Sequence, residues 1–173
     1  MSPHTICKLI ILILGVNTEI AWGQGAKDSN FNNPEDLVRH LYDEVTFPPG
    51  ELPDWDVVRS MFVPQSTIHM RTGKEKTSTF TLENWIDDFV KFIEERKVIE
   101  TGFNEKILKL ESMVFGDIAH ILVLYAASIP GITETPREGV DSFHLTRKED
   151  SWKIVSILNE IPSETRPMPN VLN

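Results

Sequence analysis

From Asn33 to Ile93 the apolar residues of this chain recur at helical spacing, and from Phe103 onward they alternate, so the pattern predicts helices first and a sheet afterwards. Leu37, Val38, Leu41, Tyr42 and Val45 fall on one face of a first helix. Asn33 is placed to cap it, Pro34 takes the first helical position, and Glu35 and Asp36 complement the positive end of the helix dipole. Pro48-Pro49-Gly50 ends it. Asp54 caps a shorter second helix in which Trp55, Val58, Met61 and Phe62 share a face, with Pro64 as the expected stop. Thr67–Arg71 reads as a short strand, and Thr72–Thr79 as a polar loop. Thr81 then caps a third helix whose apolar stripe is Trp85, Ile86, Phe89, Phe92 and Ile93. Its opposite face carries acids and bases and is expected to be solvated.

The alternating half predicts strands at Ile107–Phe115 and Ile118–Ser128, joined by the two-residue turn Gly116-Asp117. After a loop at Pro130–Pro136 come Val140–Arg147 and Trp152–Ile161, linked by the polar turn Lys148-Glu149-Asp150-Ser151. These elements place one domain at 33–162, with 163–173 expected as a disordered tail. At the other end, Lys8 precedes the apolar run Leu9–Val16, and Ala21 and Gly23 sit two apart after it. That is the arrangement of a cleavable signal peptide over 1–23, and the run is too short for a membrane span. The mature chain is then expected to start at Gln24, with 24–32 as a flexible leader, and to be exported, either periplasmic or secreted.

Composition narrows the function. The single cysteine, Cys7, lies within the expected signal peptide, so the exported protein is expected to hold together without disulfides or cysteine metal ligands. The net charge of −9 disfavours nucleic acid and anionic lipid, both of which call for a basic surface. Five histidines are present, but none stands in a His-x-His or His-Glu-x-x-His spacing, so no metal and no cofactor is expected. Gly-x-Ser-x-Gly and phosphate-cradling glycine loops do not occur.

The segment Phe62-Val63-Pro64-Gln65-Ser66-Thr67-Ile68-His69 resembles the helix-to-strand step of the nuclear transport factor 2-like superfamily. Gly139–Arg147 followed by Trp152-Lys153-Ile154-Val155-Ser156 resembles its closing hairpin. The resemblance covers about Asn33–Ile161 and is nearest to the SnoaL-like and putative lumazine-binding-like branches. It implies an α+β, cone-shaped NTF2-like (cystatin-like) fold, with three N-terminal helices on a curved antiparallel sheet. It further implies a pocket between helices and sheet, and a homodimer through the outer sheet face. The isomerase branch keeps a catalytic aspartate at a position that falls near Met70 or Arg71 here, and no carboxylate stands there.

Candidate chemistry then rests on few residues. Asp141 shares a face with Phe143, Leu145 and Arg147, where apolar neighbours could raise its pKa and suit it to acid or base work, although its nearness to the loop favours simple exposure. His69 is a second candidate base, although strand alternation turns it away from the pocket if Met70 points in; Tyr42 is a candidate hydrogen-bond donor. Trp55, Met70, Trp85, Phe89, Tyr125 and Phe143 are the candidate ligand-binding residues, each equally suited to filling a core. The reading leans to a binder of a small apolar or aromatic molecule rather than an enzyme. The alternatives are a SnoaL-like or ketosteroid-isomerase-like lyase or isomerase, and an interaction module acting through the sheet face.

Overall fold

The computed structural model of the protein describes residues 31–172; the expected signal peptide and nearly all of the leader lie outside them. Helices α1 (Pro34–Val45) and α2 (Trp55–Ser60) lead into strand β1 (Phe62–Arg71), and β2 (Thr77–Thr81) into helix α3 (Leu82–Glu95). Strands β3 (Asn104–Phe115), β4 (Ile118–Ser128), β5 (Arg137–Lys148) and β6 (Ser151–Glu160) follow. The six strands form one sheet in the order β2-β1-β6-β5-β4-β3. Four of its five pairings are antiparallel, while β1 and β6, which close the sheet across the chain, run parallel.

The helix starts form as their sequences dictate. Asn33 accepts a hydrogen bond from the Glu35 amide, Asp54 from those of Asp56 and Val57, and Thr81 from that of Asn84. All five apolar positions of the α1 stripe are buried, and α1 packs on β3 and β6 while α3 packs on β1 and β2. Phe143, Leu37, Met61, Ile68, Ile121 and Ile154 lie wholly inside. Burying each such side chain stabilises the fold by about 1.5–3 kcal/mol before entropy is counted.

Two expectations change. The second helix stops at Ser60, so Phe62 is already in β1, opposite Ile154. Pro64 does not break that strand because residues 63–66 bulge off the ladder, where its missing N–H is not called on. Ser66 Oγ fills the bulge, 2.7 Å from the Val63 carbonyl and 2.8 Å from that of Ile154. The polar loop shortens to 72–76, since Thr77–Thr81 pairs with β1 and Thr81 then doubles as the α3 cap. Its threonines favour a strand more than their polarity suggested.

Further shifts of register, between Ile107 and Lys109 in β3 and opposite His144/Leu145 in β6, bend the sheet around the helices. The Glu149-Asp150 turn has both residues at positive φ, 50° and 64°, as a tight hairpin needs. The segment expected as a disordered tail carries a Ser163–Arg166 bridge and a 3-10 turn at Asn170–Leu172 with Leu172 buried. Phe31, from the expected leader, accepts a hydrogen bond from the Trp152 amide at 2.9 Å.

Candidate functional site

The inner face of the sheet is apolar along most of its length and turns polar at the wide end of the cone. Asp141 on β5 and Asn159 on β6 are cross-strand partners there, and both are buried. Tyr125 on β4 sits opposite Gly139, where an added Cβ would lie 2.3 Å from the Tyr125 ring. A glycine at this position is what gives that ring its place. Tyr42 reaches in from α1, its ring centre 6.0 Å from that of Tyr125 and 6.2 Å from that of Phe143.

These four side chains form one network. The Tyr42 hydroxyl donates to Asp141 Oδ2 at 2.6 Å, and Asn159 Nδ2 donates to Asp141 Oδ1 at 2.7 Å and to the Tyr125 hydroxyl at 2.9 Å. The Asn159 carbonyl oxygen accepts from the Arg71 amide at 3.3 Å, so every polar atom of that side chain is engaged. A second carboxyl, Glu105 on β3, lies near this network. Thr46, just after α1, both donates to the Glu105 carbonyl and accepts from its amide, each at 3.0 Å. No protein donor reaches the Glu105 carboxyl among the described residues.

The network and Glu105 border a cavity of about 80 Å³, whose other walls are Leu41, Val45, Ile68, Met70, Trp85, Phe89, Phe143 and Ile157. Tyr42 and Glu105 also line an open groove of about 700 Å³ with Arg39, Asp43, Lys106 and Leu108, so these two residues stand between groove and cavity. Phe89 closes the opposite side. It meets Trp55, Trp85, Phe92 and Phe103 edge-on at 5.5–6.0 Å between ring centres.

Burial sets the electrostatics. It pushes the Asp141 carboxyl up to about 6, against the pull of the hydrogen bonds from Tyr42 and Asn159. Burial, then the charge of Asp141, push Glu105 up to about 8. Tyr42 and Tyr125 are raised by burial first and by Asp141 second, so both phenols keep their protons. One cavity thus holds a carboxyl that is mostly ionised near neutrality and another that is mostly protonated.

Of the residues singled out from sequence, Asp141, Tyr42, Met70, Trp85, Phe89, Tyr125 and Phe143 meet at this cavity. Trp55 does not reach it; it lies beyond Phe89, in the aromatic cluster. His69 is on the outer sheet face, its Nδ1 2.8 Å from the Thr79 hydroxyl, because alternation sends Met70 inward. His120 and His144 stack on that same face at 5.2 Å. Among the described residues no group of histidine, cysteine, aspartate or glutamate is placed to hold a metal ion. The residues that sequence reasoning missed are Asn159, two positions after Ile157 on the expected last strand, and Glu105. The signal for Glu105 was one more step of alternation before Ile107, since β3 starts at Asn104.

Neither a protein-family model nor a curated protein matches the sequence. Solved structures match the fold. An NTF2-like protein of unknown function from Pseudomonas putida aligns with a TM-score of 0.57 at 12% identity, over 78% of this chain and 89% of its own. A proposed aromatic ring hydroxylase from Novosphingobium aromaticivorans aligns with 0.53 at 16%, over 73% and 85%. The yeast Ubp3-associated protein Bre5 aligns with 0.52 at 13%, over 75% and 94%. The chain therefore has the α+β NTF2-like, cystatin-like fold.

Proposed function

We propose that the cone binds a small, mainly apolar molecule that carries one polar group. The observation behind this reading is the cavity: aliphatic and aromatic walls with the Tyr42–Asp141–Asn159–Tyr125 network and Glu105 gathered at one end. Binding sites for small molecules have this composition, apolar with a few placed polar groups. The Tyr125 hydroxyl accepts from Asn159 and keeps its own proton for an occupant.

Acid–base chemistry on the bound molecule is a second reading, favoured by the two carboxyls held up to about 6 and about 8 in one cavity. His69 has no part in it, since the outer face carries that ring. In this reading as in the first, two copies pair through the outer sheet face, where Met113, Phe115 and Ile118 are exposed.

A thermal-shift screen of small hydrophobic metabolites, followed by mass spectrometry of each hit after incubation, tests both. A stabilising compound recovered unchanged supports binding as the function. Conversion that stops in Asp141→Asn assigns catalysis instead. If no compound stabilises the protein, and Trp85→Ala, which enlarges the cavity, gains no ligand either, the cone is not a binding site.

A further inference from the structure

The charges in the cone point to the kind of molecule it takes. Its lining contains two carboxyls and no lysine, arginine or histidine. Both oxygens of Asp141 already accept hydrogen bonds, from Tyr42 and from Asn159, and those two donors have nothing left for Glu105. The Glu105 side chain is half-buried, lines both the cavity and the open groove, and stands beside another carboxyl with no protein donor among the described residues. Leaving a charged group so placed is costly unless a proton or a cation joins it.

We propose that the occupant is an organic cation, a primary or secondary amine with a compact apolar substituent, its ammonium between Glu105 and Asp141 and its substituent against Trp85, Phe89 and Phe143. This rests on the reading of the cone as a ligand site. An ammonium supplies what the cavity lacks: positive charge and two or three N–H donors. The rings of Tyr42, Tyr125 and Trp85 add the attraction of aromatic faces for cations. An anion meets the Asp141 carboxylate without a counter-charge. A neutral alcohol can accept from protonated Glu105 but brings no charge to meet Asp141.

The other ionisable groups around Glu105 are Arg39, Tyr42 and Asp43 on α1, Tyr125 on β4, Arg137 and Asp141 on β5, and Lys106 on its own strand. Arg39, Asp43 and Lys106 line the outer groove and Arg137 acts on Tyr125 from outside the lining, so among the lining residues the two carboxyls carry the charge. In the empty cone Glu105 holds a proton up to about pH 8, and an incoming ammonium displaces it. Binding of the amine accordingly releases a proton near neutrality and strengthens with pH while the amine itself stays charged.

Titration calorimetry with isopropylamine, isopropanol and isobutyrate, small enough for the cavity, reads this directly. The amine is expected to bind about tenfold or more tightly at about pH 9 than at about pH 6, with proton uptake by the buffer near neutrality. Glu105→Gln, a near-isosteric change, is expected to remove most of the amine affinity and the pH dependence while leaving the folding transition cooperative. Isopropanol binding as tightly as the amine overturns the cation assignment and leaves the ligand site standing. Amine affinity indifferent to pH and to Glu105→Gln also overturns it. Failure of all three compounds overturns the assignment and counts against the ligand site as well.

Discussion

Asp141 and Glu105 show how much the setting of a side chain matters relative to its identity. Both are ordinary acids in sequence, and inside the cone both hold protons more tightly than in an unfolded chain. Folding therefore takes up protons as the pH falls from about 8 toward about 4, and stability is expected to decline as pH rises through that window. The loss from Asp141 ends near 6 and that from Glu105 near 8, each contributing up to about 1.4 kcal/mol per pH unit where it is protonated only in the folded state. Urea unfolding at several pH values measures the slope. Glu105→Gln should flatten it above about 6, and a variant with the wild-type slope would remove Glu105 from the account. Sequence alternation put Asp141 on the face of Phe143 and Leu145, but its nearness to the loop favoured exposure, and it is the fold that buries it. Alternation could not show the two hydrogen bonds on Asp141 or the second carboxyl, because those depend on α1 and β3, brought against β5 only by the fold.

At the scale of elements, the caps at Asn33, Asp54 and Thr81 and the turns at Gly116 and Glu149-Asp150 are local chemistry, and they were readable residue by residue. The β1–β2 hairpin and the bulge at Pro64 were not, since a strand at the edge of a sheet is decided by its partner. Strand β5 makes the same point through Gly139. Nothing in the sequence marks this glycine as more than the start of a strand, yet its missing side chain is the space in which the Tyr125 ring lies. Gly139→Ala is expected to push the ring aside, break the Asn159–Tyr125 hydrogen bond and cost about 1–3 kcal/mol, the usual range for overfilling a packed site. Chemical denaturation gives the cost. If the variant is as stable as the wild type and its Tyr125 keeps its place in a crystal structure, the close approach carries no weight.

At the scale of the whole molecule, the described residues leave a large apolar surface exposed. Phe115 is 82% exposed, Met113 67% and Ile118 60%, and with Val155 and the stacked His120 and His144 they border a shallow apolar hollow on the outer sheet face. Apolar surface gathered in this way marks an association site more often than chance exposure does. Sedimentation analysis is expected to find a dimer that Phe115→Glu with Ile118→Glu converts to a monomer of unchanged fold; a wild-type monomer at all concentrations would end that expectation. Inside the cone, Thr46 joins the end of α1 to the start of β3 by two hydrogen bonds, one turn of helix from Tyr42 and on the backbone of Glu105 itself. The elements that carry Tyr42 and Glu105, the two residues shared by groove and cavity, are thus tied together by both bonds. For an occupant of the proposed kind, Thr46→Val, which loses both bonds, is expected to quicken release more than it weakens binding, as stopped-flow dissociation would show.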